Sequence, residues 1–119
     1  MTPIPRWSSR MSMKDPLLDA QHIELLEMSR SIQSDLKWRD PQNWAFRQRL
    51  DEFVFLLREH DIAETKVLHQ RGQDLSHDVQ SLRALALKAI EKLSHDTQAE
   101  KLDPIMTQRV LLGWIQYHF

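Results

Sequence analysis

Between Phe46 and Leu68 the chain keeps one helical period for roughly six turns. At about 100° per residue, Phe46, Leu50, Phe53, Leu57, His60, Glu64 and Leu68 collect on a single face about 80° wide. A stripe of that length commits the segment to a long amphipathic helix, and that face must be covered by other helices. Five of its seven positions are apolar. The other two are a histidine and a glutamate one turn apart. Ionisable groups on a buried face are costly unless something pairs with them. Two arrangements would satisfy them. A metal ion is one, since neutral imidazole and carboxylate are both ligands for first-row metals. A direct His–Glu contact at a packed helix interface is the other.

The remaining segments supply the covering helices. Residues 1–14 are broken by Pro3 and Pro5, and carry Trp7, Met11 and Met13 as an extended arm expected to lie across the core. Asp15-Pro16 reads as a helix start, with Asp at the N-cap and Pro at the first helical position. The first helix, expected over 16–37, carries Leu18, His22, Leu25, Ser29, Ile32 and Leu36 on one face. Asp19, one turn before His22, is placed to orient its ring. Residues 39–43 form a connector with Pro41 as breaker. The second helix, over 43–71, ends where Gly72 can take the left-handed position that closes a helix. A third helix, over 75–94 with Asp74 as its cap, carries Leu75, Val79, Leu82, Ala86, Ala89 and Leu93 on its apolar face. His77 lies nearly opposite that face, and His69 and His95 fall at solvated helix ends. Asp103-Pro104 opens a fourth helix, over 104–119, with Leu111, Trp114, Ile115 and His118 on one face. Four amphipathic helices on short polar connectors predict an all-α, up-down-up-down antiparallel bundle, a single domain over 1–119.

Composition removes several function classes. The chain has 119 residues, no cysteine and a formal net charge of −1 with interspersed signs. That excludes thiolate chemistry and the basic footprint of a nucleic-acid binder. No apolar run is long enough to span a bilayer, and the first residues lack the apolar core of a signal peptide. With two glycines there is no phosphate-cradling loop. A cytoplasmic protein that binds neither nucleic acid nor membrane is expected, and no substrate pocket points to an enzyme.

Three of the six histidines, His22, His60 and His118, thus lie on core faces of three different helices, with Glu64 beside His60. The order of motifs around them resembles the bacteriohemerythrins. Trp7 and the Met11–Met13 arm, followed by Leu18-Asp19-Ala20-Gln21-His22 and Glu24-Leu25-Leu26, are similar to that family's tryptophan arm and its entry to the first helix. His60-Asp61-Ile62-Ala63-Glu64 resembles its His-x-x-x-Glu. Trp114-Ile115-Gln116-Tyr117-His118 resembles its Trp-Leu-x-x-His. Hemerythrins bind dioxygen at two irons held by five histidines and two bridging carboxylates. The resemblance implies that His22 and His60 ligate one iron, Glu64 bridges, and His118 serves the other.

The departures point elsewhere. The family's third helix brings two histidines one turn apart. Here the amphipathic register turns Leu75, Val79 and Leu82 inward at that place, and burying such a stripe is worth several kcal/mol. The second bridging carboxylate would lie about a turn beyond His118, and the sequence has none there. The expectation is therefore a partly dismantled site holding one iron ion or none, on His22, His60, Glu64 and His118. The protein would then act as a regulatory or interaction module, through a protein partner or self-association. Trp38 and Trp44, flanking the first connector, are its candidate contacts. The alternative is a working oxygen or iron binder that recruits His77 through a distorted third helix.

Overall fold

The computed structural model describes residues 3–38, 44–98 and 103–119, with the side chains at 37, 38, 44 and 96–98 outside that description. Four helices follow one short 3-10 turn, Ser9–Met11: α1 (Pro16–Trp38), α2 (Trp44–Gln70), α3 (His77–Gln98) and α4 (Pro104–His118). The described residues contain no strand. The expectation for Trp38 and Trp44 as contacts falls on side chains outside the described residues, as does the structure of both polar connectors.

Cross-helix pairs show how the helices run. His22 meets His60 and Asp35 meets Arg49, so α2 returns antiparallel to α1. Arg58 pairs with Glu91, and Glu64 with Arg83, so α3 is antiparallel to α2. Arg83 also reaches the Tyr117 carbonyl near the end of α4, and Ser29 near the middle of α1 meets Trp114. Each helix packs against the next, and α4 touches α1 more lightly. The result is a four-helix bundle measuring 44 × 26 × 22 Å.

Local chemistry sets the helix ends. The Asp15 carboxylate accepts from the Leu18 N–H at 3.0 Å, and Asp103 caps Ile105 and Met106 in the same way. At the end of α2, Gly72 sits at φ +66°. Its N–H donates to His69 and that of Gln73 reaches back to Leu68, so two otherwise orphaned carbonyls are satisfied. The start of α3 differs from expectation: the cap is the Ser76 hydroxyl, accepting from the Val79 N–H, and the helix begins at His77.

Phe46, Leu50, Phe53 and Leu57 from α2, Leu25 and Ile32 from α1, Ile90 from α3 and Leu111 and Trp114 from α4 form a dry core in one half of the bundle. Ile4 is buried in this core, and Trp7 and Met11 pack against it, so the arm does cover the bundle. Fully burying each such side chain is worth about 1.5–3 kcal/mol. The opposite half holds the buried histidines and Glu64.

One prediction about packing is corrected. Leu82 is 38% exposed, and Leu75 lies before α3 rather than in its buried stripe. The inward face of α3 runs instead through Val79, Arg83, Leu87, Ile90 and Leu93. Ile90, which lies outside the expected stripe, is fully buried, and its burial rotates the helix away from the register that favours Leu82. Where leucine was expected to face the histidines, α3 presents an arginine.

Candidate metal centre

Four predicted side chains meet in the polar half of the bundle. His22 and His60 are fully buried, Glu64 is 1% exposed and His118 is 7% exposed. The helical spacing brings this about: His22 is on the core face of α1, His60 and Glu64 are successive turns of α2, and His118 follows Trp114 by one turn of α4.

Glu64 is the hub. Its Oε2 lies 2.7 Å from His60 Nε2 and 3.5 Å from His22 Nε2. Its Oε1 accepts from Arg83 Nη1 at 2.5 Å. Burial pushes the carboxyl towards its neutral form, but the hydrogen bonds from His60 and Arg83 and the nearby His22 ring together outweigh burial and hold it well below the usual carboxylate range. It is an ionised group in a dry interior.

The histidines differ in how they are held. His118 Nδ1 donates to the Trp114 carbonyl at 2.8 Å, which leaves Nε2 facing Asp61 Oδ1 at 2.9 Å. His60 Nδ1 lies 2.9 Å from Gln21 Oε1, leaving Nε2 towards Glu64. Imidazoles that ligate metals are commonly oriented in this way, with one nitrogen donating to a carbonyl and the other aimed at the ion. A neutral ring so arranged points a lone pair at a carboxylate, and only a proton or a metal cation relieves that contact. For His60, turning the Gln21 amide would also reconcile the ring with a proton on Nε2. Burial is the main cause that shifts His60 towards the neutral form, with His22 and His118 adding to it against the pull of Glu64.

His22 has no such orientation. Neither ring nitrogen makes a hydrogen bond, although the residue is fully buried. Its ring is enclosed by those of His60 and Phe119, at centroid distances of 4.3 and 4.7 Å. An unpaired polar group in such a place costs about 1–3 kcal/mol.

The ligand atoms of His22, His60 and Glu64 lie within 4.8 Å of one another, and a second group, His60, Asp61 and His118, meets the same limit. Metal–ligand bonds of about 2.1 Å put neighbouring donors roughly 3 Å apart. The 2.7 and 3.5 Å separations around Glu64 Oε2 bracket that spacing.

No family model, curated protein or solved structure matches this chain. The argument for this site therefore stands on the geometry of its own residues.

That geometry departs from expectation at Asp19, Asp61 and Arg83. Asp19 does not orient His22. Its carboxylate accepts from the Ser12 hydroxyl at 2.6 Å and the Met13 N–H at 2.7 Å, and the Ser12 contact is the main cause holding its pKa below the ordinary value. It fastens the arm to α1, with Arg71 bonding the Met13 and Lys14 carbonyls beside it. Asp19→Ala should therefore cost about 1–2 kcal/mol in chemical denaturation and expose the arm to limited proteolysis. His77 is exposed on the first turn of α3 and belongs to neither donor group. The other departures are Arg83 and Asp61, which the structure brings to the cluster. Asp61 sits beside His60 in the sequence, and only the approach of α4 brings it to His118. Arg83 follows Val79 by one turn, and that spacing is the signal that could have found it.

The buried groups make stability sensitive to acid. A neutral buried His60 takes up protons less readily than the unfolded chain does, so stability falls as pH drops below about 6.5, the ordinary histidine value. Glu64 stays ionised where the unfolded chain protonates, so a second loss begins below about 4.5. Each differs by at most one proton, giving slopes up to about 1.4 kcal/mol per pH unit. Denaturation of the metal-free protein from pH 8 to pH 3.5 should show two successive losses. Glu64→Gln should remove the lower one.

Proposed function

We propose that the chain is a hemerythrin-like bundle that holds a single divalent metal ion on His22, His60 and Glu64. The resemblance to bacteriohemerythrins implies iron. In this reading the protein is a regulatory or assembly module acting through protein contacts rather than a two-iron oxygen carrier, and it is not an enzyme.

The observation that carries the metal reading is His22: a buried imidazole with both nitrogens unpaired, 3.5 Å from a carboxylate oxygen that a second histidine already approaches. Two imidazoles and a carboxylate are a known donor set for divalent iron. A bound ion would supply a positive centre with positions left open to water or a small ligand.

Arg83 supports limiting the count to one. A bridge with one Glu64 oxygen on each of two ions would need Oε1, and the Arg83 guanidinium already claims it. The guanidinium is permanently charged, so it does not yield by losing a proton. The role in protein contacts rests on apolar groups left in water. Phe55 and Ile62, both about two-thirds exposed on the outer side of α2, are the most prominent near the site.

Metal analysis of protein purified without chelator and loaded anaerobically with Fe(II) tests the reading. One ion per chain, lost in His60→Ala, is expected. Two ions per chain with an oxygen-dependent visible band would instead favour the oxygen carrier. A chain that takes up no ion would refute the metal reading and leave only the interaction module.

A further inference from the structure

A cavity of about 270 Å³ opens between α2 and α3, outside the donor cluster. Its size is just below the roughly 300 Å³ at which pockets for drug-sized ligands begin, so it has room for one small molecule. Three kinds of surface meet in it. Leu68, Leu75 and Leu87 form an apolar wall, Arg83 contributes a cation, and Asp61 and Asp74, which pair through Oδ1 with His118 and His69, contribute carboxylates.

Arg83 does not spend all its donors. Nε donates to the Tyr117 carbonyl and Nη1 to Glu64, while Nη2 has no hydrogen-bond partner among the described residues and is not sealed from solvent. Guanidinium is a planar fork suited to a carboxylate. A plain carboxylic acid would nevertheless face two aspartates across the same small space. A plain amine would suit the aspartates and leave Nη2 unused. A molecule with an ammonium and a carboxylate on one carbon answers both, and the leucines suit an aliphatic side chain.

We propose that the α2–α3 cavity binds a free aliphatic α-amino acid, with its carboxylate on Arg83, its ammonium towards Asp61, and its side chain against Leu68, Leu75 and Leu87. The inference goes beyond the metal reading and does not depend on it. The two sites are adjacent, since Arg83 also holds Glu64 and Asp61 also holds His118. Binding here would be felt at the metal centre.

The test is titration of the metal-free, full-length protein with L-leucine, followed by calorimetry and by amide shifts at Thr65 and Ala84. Saturable binding at millimolar concentrations or below is expected. Hexanoate and isoamylamine, each carrying one of the two charges, should bind at least about tenfold more weakly. Ala84→Trp fills the cavity from an exposed position and should abolish binding while leaving helix content and metal uptake unchanged. The proposal is overturned if leucine does not shift these amides, if either single-charge analogue binds equally well, or if Ala84→Trp binds leucine undiminished. None of these results bears on whether the histidines hold a metal.

Discussion

Arg83→Met should cost the metal-free protein about 3–5 kcal/mol of folding stability, the range seen when one partner of a buried ion pair is removed. Methionine keeps most of the apolar stem and deletes the charge, so the loss reports on Glu64 rather than on a cavity. Without Arg83, the Glu64 carboxylate keeps only its histidine partners, and its pKa should rise towards the normal range as burial reasserts itself. The acid loss that begins below about pH 4.5 in the parent should then shrink. Urea denaturation at pH 7 measures the first effect, and the same experiment between pH 3.5 and pH 6 measures the second. A loss below about 1 kcal/mol would mean that the pair is worth no more than a surface ion pair and that Glu64 is satisfied without it.

The second large effect has opposite signs in two assays. His22→Leu should stabilise the metal-free protein by about 1–3 kcal/mol, because an apolar side chain of similar volume replaces an imidazole with no hydrogen bond. The same substitution should abolish metal uptake, since His22 supplies one of three donors. A residue retained only for packing would not divide in this way. If His22→Leu destabilises the metal-free chain, its ring is satisfied by something other than a metal, and the main support for the metal reading is gone. If it stabilises the chain and leaves metal uptake intact, the ion sits in the second group, with His60, Asp61 and His118.

These two residues mark how far the sequence could be read. His22, His60, Glu64 and His118 were found because each lies on a core face of its own helix, and periodicity within one helix survives folding. The structure buries all four. Asp61 was missed because its importance comes from His118, 57 residues away. Arg83 was missed because α3 has two apolar faces of similar strength, one through Leu82 and the other through Leu87 and Ile90. Its own pattern does not choose between them.

What the sequence by itself determined is the part held by local rules: the Asp-Pro helix starts, the glycine that ends α2, the four amphipathic stripes, and a histidine or glutamate at defined turns of three of them. Those features follow from backbone geometry and side-chain spacing, which each segment carries wherever it packs. Only the tertiary structure decided which cation faces Glu64. That depends on the rotation of α3, and the rotation is set by burying Ile90 against the other helices. Burial of hydrocarbon far from the cluster thus places a guanidinium within it, and no segment read alone contains that information.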